Sequence, residues 1–271
     1  MRQDEKYLIF AHYHSNGLVR KDIINFINKS EKYFTKIIFV STKINFKELK
    51  KISKKIKVIK RKNTGYDFYS YKIGWEYIRK ISKNNNDSKK FYFANSSILY
   101  INPRKMMKSI NKIDIKKDEF WGISRSLELT DHIQSYFFFF SSCLFENQNI
   151  LNWWEKIKPL NLHYKVILKY ELGLSNLMLN NKIKLKSIYK KNIDLKTNNI
   201  FKKIVQRFSE IFLKTPKYYK KDPTHYFWND FYKLFGIVKI RLIKDNDKKY
   251  NLKKLYEILK KKNILNEALN N

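Results

Sequence analysis

Apolar residues recur in two alternating rhythms along the first half of the chain. Residues 7–12, 36–40, 56–61 and 91–94 are short runs rich in β-branched and aromatic side chains and read as strands. Between them, 21–31, 45–52 and 68–81 carry apolar side chains at helical spacing. Ile23, Ile24, Phe26 and Ile27 mark one side of the first helix; Tyr71, Gly74, Trp75 and Ile78 mark one side of the third. This alternation predicts an α/β fold, a mainly parallel sheet flanked by helices, in which ligands bind beyond the carboxyl ends of the strands. Polar or glycine-bearing segments stand where that rule puts a site: 12–17, 63–67 and 95–97. Farther on, 120–124, 135–141, 183–189 and 237–243 read as strands. Residues 150–157, 166–180 and 252–262 read as helices, with Glu171 an early acidic residue of the second.

Composition narrows the classes. The 271 residues are 43% hydrophobic and 16% aromatic, enough to bury a large core, which excludes general disorder. With 6 Gly and 4 Pro there is no flexible linker between independent domains. The expected organisation is a core over 1–199, a basic amphipathic insertion over 200–222, and a C-terminal completion of the core with a Lys-rich helix over 223–271. In the insertion, Phe201, Ile204, Phe208 and Ile211 share a helical face and Lys202, Lys203 and Arg207 lie off it. That pattern suits a helix packed on the core or one lying on anionic lipid. No window reaches the roughly 20 apolar residues that span a bilayer, and the first residues lack a signal-peptide pattern. The expectation is a cytoplasmic protein, with any membrane contact peripheral and at the inner face. The single cysteine, Cys143, permits no internal disulfide and fits a reducing compartment. The formal net charge of +34 points to anionic partners. Lys rather than Arg carries the excess, so the charge gives no sign of specific nucleic-acid reading.

The segment Arg61-Lys62-Asn63-Thr64-Gly65-Tyr66-Asp67 combines three useful groups at a strand end. Gly65 lets the backbone turn close to a ligand, Asn63 offers an amide to a base or ribose, and Asp67 accepts hydrogen bonds from sugar hydroxyls. The alternative for Asp67 is a cap on the following helix. Asn95-Ser96-Ser97 offers further amide and hydroxyl groups after the fourth strand.

Seven short motifs stand in order from residue 7 to about residue 245: His12-Tyr13; Arg61-x-Asn63-x-Gly65-x-Asp67-Phe68; Asn95-Ser96-Ser97; Phe120-Trp121-Gly122; His132-x-Gln134-Ser135-Tyr136-Phe137; Tyr170-Glu171-x-Gly173-Leu174-Ser175; and Pro223-Thr224-His225-x-x-Trp228. Together they resemble the rhamnan synthesis protein F family. The resemblance implies a Rossmann-like domain similar to the A-type glycosyltransferase fold. It implies transfer of a sugar, often rhamnose, from a nucleotide-sugar donor to a growing cell-surface polysaccharide or lipopolysaccharide glycan, with inversion, on a glycan or lipid-linked acceptor. It implies donor contacts from His12, Asn63, Gly65, Asp67, Asn95, Ser96 and His225, and an acceptor or sugar pocket formed by Trp121, His132, Gln134 and Ser135. Glu171 would be the general base; its other reading is a first-turn glutamate facing the helix dipole.

Two positions depart from the family pattern. Ser96 replaces the aspartate of Asn-Asp-Ser, and His14 stands where the family often has Asp. The first change removes the carboxylate best placed to hold Mg2+ or Mn2+ against a diphosphate, and leaves lysines and helix N-termini as the alternative counter-charge. A relative without that carboxylate also fits a non-catalytic assembly partner of other glycan enzymes. Retention of Asn63, Gly65, Asp67 and Glu171 favours the active enzyme.

Overall fold

The computed structural model describes residues 5–81, 89–127, 129–191, 222–246 and 250–269. All of the predicted insertion except Asp222 lies outside the described residues. Four parallel strands, β1 (Glu5–His12), β2 (Lys36–Ser41), β3 (Lys57–Lys60) and β4 (Lys89–Asn95), form one half of a seven-stranded sheet. The other half contains β6 (Glu119–Gly122), β9 (Phe137–Ser141) and β10 (Lys184–Ser187), with β7 (Arg125–Ser126) and β8 (His132–Ile133) forming a separate antiparallel pair, and the spatial order in the sheet is β10-β6-β9-β4-β1-β2-β3. Only β9 runs against its neighbours β4 and β6; β10 is again parallel to β6. The predicted α/β class, a mainly parallel sheet with helices on both faces, is the observed one.

The strand sequences are apolar on both faces because both faces are covered. Leu8 and Phe10 of β1 pack with Ile23, Phe26 and Ile27 of helix α1 (Lys21–Ser30). Tyr7, Ile9 and Ala11 point the other way, towards Phe68, Tyr71, Trp75 and Ile78 of α3 (Tyr66–Ile81). Gly74 lets α3 approach β1, since a Cβ there would lie 2.4 Å from Ile9 Cγ2. The helix predicted over 45–52 shrinks to the single turn Phe46–Leu49.

Two further regions differ from the sequence reading. The helix predicted from 166 starts earlier: His163–Val166 runs without a break through a π-helical segment, Ile167–Leu172, into Gly173–Asn180. The strand predicted over 237–243 is only β11 (Ile237–Lys239), followed by the helix Ile240–Lys244. Its partner is a strand the periodicity did not isolate, β5 (Ile98–Tyr100), and the two form a separate antiparallel pair. Pairing ends at Ile98, where the Ile240 N–H donates to the Ser97 carbonyl (3.0 Å). The chain then coils, which buries Ile240, Leu242 and Ile243 against Leu252, Leu255 and Leu259 in a small third core. Among the described residues no helix is long and apolar enough to cross a membrane.

Candidate active site

Beyond the carboxyl ends of β1 to β4 lies a cleft of about 800 Å³. His12, Asn63, Gly65, Asp67, Asn95, Ser96, His132, Gln134, Ser135 and Glu171 all line it. Trp121 and His225 do not.

The loop after β3 is held by Arg61. Its guanidinium donates to the Lys62 carbonyl and the Ser70 hydroxyl (both 2.8 Å) and to the carbonyls of Thr64 and Tyr66. Burial pulls Arg61 down to about 10, so it stays charged at neutral pH. Those four contacts fix two consecutive left-handed residues, Gly65 (φ 76°) and Tyr66 (φ 52°). A side chain at Gly65 would be strained by that φ and would meet Pro159 Cα at 2.6 Å. The turn delivers Asp67 to the first turn of α3, where one carboxylate oxygen accepts the Phe68 N–H (3.0 Å) and the other accepts the Asn95 amide (2.8 Å). Burial, and then the like charge of Glu171, raise the Asp67 carboxyl above its ordinary value. Asp67 thus lies within electrostatic reach of Glu171 in the same cleft.

Glu171 comes from the π-helical segment, well inside the continuous helix, so its reading as a first-turn glutamate is corrected. Its Oε1 accepts the Ser135 N–H (2.9 Å), which fixes the carboxylate at the cleft wall. The His132 ring donates through Nδ1 to the Thr130 carbonyl (2.8 Å). Gln134 accepts from the Ser124 hydroxyl (2.6 Å) and donates to Asp222 (3.1 Å). His12 and the Ser41 hydroxyl share a hydrogen bond of 2.8 Å, and burial, Arg20 and His14 together hold the ring down to about 3. His12 thus meets a ligand as a neutral group.

The turn Asn95-Ser96-Ser97 has its oxygens engaged. Asn95 Oδ1 accepts the Ser97 N–H (3.0 Å) and hydroxyl (2.6 Å), and the Asn95 carbonyl accepts the Tyr100 hydroxyl (2.8 Å). The Ser96 hydroxyl accepts the Tyr13 N–H (3.4 Å), and the Ser96 carbonyl accepts the buried Arg20 guanidinium (2.9 Å). Arg20 in turn pairs twice with Asp22 (2.9 and 3.1 Å). An amide, hydroxyls and a guanidinium are a poor donor set for Mg2+ or Mn2+, which take carboxylates and water. Among the described residues no three His, Cys, Asp or Glu side chains converge as metal ligands.

Two assignments are corrected. The Trp121 indole donates to Glu119 (2.8 Å) and stacks on Phe139 (6.1 Å between centroids, 12° between planes), so the sheet's own packing holds it out of the cleft. In Asp222-Pro223-Thr224-His225 the cleft-lining member is Asp222, not His225. Burial alone would raise the Asp222 carboxyl, but His225, Lys239 and hydrogen bonds from the Thr224 N–H (2.8 Å) and hydroxyl (2.6 Å) hold it below its ordinary value. Sequence reasoning also missed Asn161 and His163, ahead of and at the start of the Glu171 helix, and Lys239, Arg241 and Lys244. In so basic a chain no individual lysine stands out, and 237–243 read as plain strand.

The family description that matches the chain is rhamnan synthesis protein F, over residues 37–219. The matched span takes in the 61–67 loop, Ser96, His132 and Glu171 and stops short of Asp222 and the three basic residues. No curated protein matches the sequence. Among solved structures, 4-diphosphocytidyl-2C-methyl-D-erythritol synthase from Anaerococcus prevotii DSM 20548 is similar at 12% identity, over 76% of this chain and 99% of that one, with a TM-score of 0.39.

Proposed function

The chain belongs to the rhamnan synthesis protein F family and so has a role in polysaccharide synthesis; on that premise we propose that it is an inverting glycosyltransferase. In this reading it moves a sugar, with rhamnose the first candidate, from a nucleotide-sugar to a growing cell-surface glycan. The observation that carries the reading is that Asp67 and Glu171 line one cleft at the strand ends, each held by a backbone N–H. Glu171 takes the proton of the acceptor hydroxyl as that oxygen bonds to the anomeric carbon. The bond from that carbon to the diphosphate breaks on the opposite side, and the nucleoside diphosphate leaves with the electron pair. Asp67, oriented by Asn95, accepts hydrogen bonds from donor-sugar hydroxyls, while the neutral His12 and the 61–67 loop bound the nucleotide end. His132, Gln134 and Ser135 form the acceptor side. The net charge of +34 supports work at the anionic inner face of the cytoplasmic membrane, where lipid-linked glycans reside.

The test is a panel of nucleotide-sugars, read first as thermal stabilisation and then as transfer. One donor is expected to stabilise the protein and to be consumed. Glu171→Gln keeps an oxygen for the Ser135 N–H and is expected to lower kcat by about 10²–10⁴-fold while the donor still stabilises it. Full activity in that variant removes Glu171 as the base. Absence of stabilisation by every donor supports the non-catalytic partner instead.

A further inference from the structure

Given the nucleotide-sugar reading above, we propose that Lys239, Arg241 and Lys244 form the diphosphate-binding site and take the place of a divalent cation. All three line the cleft, Lys239 as the last residue of β11 and Arg241 and Lys244 from the helix that follows it, and all three lie outside the residues matched by the family.

Their placement follows from the local structure. The Ile240 N–H bonded to the Ser97 carbonyl (3.0 Å) ties this segment to the Asn95-Ser96-Ser97 turn. On one side Lys239 Nζ lies 4.9 Å from the Tyr136 ring centroid, and its charge helps hold Asp222 low. On the other side Lys244 reaches the loop after β1: after burial and Arg20, its charge is a cause of the lowered His14 value. Arg241, between them in sequence, pairs through Nε with Asp245 (2.8 Å), an exposed i,i+4 pair that competes weakly with a diphosphate. The cationic segment thus runs across the Ser96 turn. The turn itself suits this arrangement and opposes a metal: its carbonyls are consumed by protein donors, and Arg20 puts a further positive charge behind Ser96.

The chemistry is that of ammonium and guanidinium groups on phosphate oxygens. They bind the donor's diphosphate and stabilise the charge that grows on it as the glycosidic bond breaks. No carboxylate at position 96 is then required, and a carboxylate there would repel the diphosphate.

The site can be examined without any sugar. Isothermal titration with UDP, dTDP, GDP, CDP and inorganic pyrophosphate is run in EDTA and again with Mg2+ or Mn2+. At least one nucleoside diphosphate, and pyrophosphate more weakly, are expected to bind in EDTA, with affinity unchanged by either metal and falling as salt is raised. Lys239→Gln with Lys244→Gln is expected to weaken that binding about tenfold or more in a protein that remains folded at the temperature of the titration. Lys244→Gln alone, on an exposed side chain, is expected to weaken it in the same direction. Binding that needs Mg2+ or Mn2+, or that survives both substitutions, overturns the proposal. The two readings fail separately: binding with these features but no sugar transfer removes only the transferase, whereas transfer that requires a metal removes only the cationic site.

Discussion

His12 lies at the mouth of β1 without a charge, and that has a measurable consequence. Its folded value of about 3 is far below the ordinary 6.5, because burial and the nearby Arg20 and His14 oppose the imidazolium. Between those two values the unfolded chain binds a proton that the folded chain refuses. The stability His12 contributes is therefore complete above about pH 6.5 and is lost as pH falls towards 3, with a slope of at most about 1.4 kcal/mol per pH unit. His12→Gln removes the proton site, and urea unfolding at pH 7, 6, 5 and 4 is expected to show a flatter acid limb; parallel profiles would refute the assignment. Asp67 works in the opposite sense. Its raised value makes its contribution present below the unfolded value and lost as pH rises through the folded one. Glu171→Gln relieves one of the two causes, so the same substitution that slows transfer is expected to raise Tm at neutral pH. The types and positions of Asp67 and Glu171 were legible in the sequence. Arg20 was not, because nothing local distinguishes a buried arginine from the many exposed lysines.

The alternation of strands and helices was readable from the first four strands because each is apolar on both faces and bounded by polar turns. It failed where tertiary contacts overrule period. The π-helical segment Ile167–Leu172 has no propensity signature, and two adjacent residues within it have separate tasks. Tyr170 is buried and bonds Lys158, while Glu171 lines the cleft. The Tyr170 hydroxyl donates to the Lys158 carbonyl (2.7 Å) and accepts the Lys158 N–H (2.9 Å), which anchors the connection carrying Asn161 into the cleft. Tyr170→Phe keeps the ring and orphans both backbone groups, an expected loss of about 1–3 kcal/mol in urea unfolding. Faster amide exchange at Lys158 and a raised donor or acceptor KM should accompany it. Unchanged exchange at Lys158 would mean that the connection is held by other contacts.

At the scale of the molecule the sheet is gripped between two large cores, and the C-terminal segment carries a third of its own. Leu255 and Leu259 sit in that small core with Leu99 of β5, Ile101 just after it, and Val238, Ile240, Leu242 and Ile243. The sequence predicts a Lys-rich helix within the C-terminal completion of the core, and the overall basicity leaves its task unmarked: the apolar side of that helix is what holds the segment bearing Lys239, Arg241 and Lys244 over the Ser96 turn. If the small core is a locally cooperative unit, damage there reaches the site before it reaches the sheet. Leu255→Ala leaves a cavity at a fully buried position and is expected to destabilise this unit by about 2–5 kcal/mol. Hydrogen exchange should quicken across 237–244 and 253–261 while β1, β2 and β4 keep their protection, and pyrophosphate affinity in EDTA should fall although no cation has been removed. Equal loss of protection across the main sheet would make the chain one cooperative block, and pyrophosphate affinity unchanged despite a loosened 237–244 would mean that these residues need no scaffold to bind.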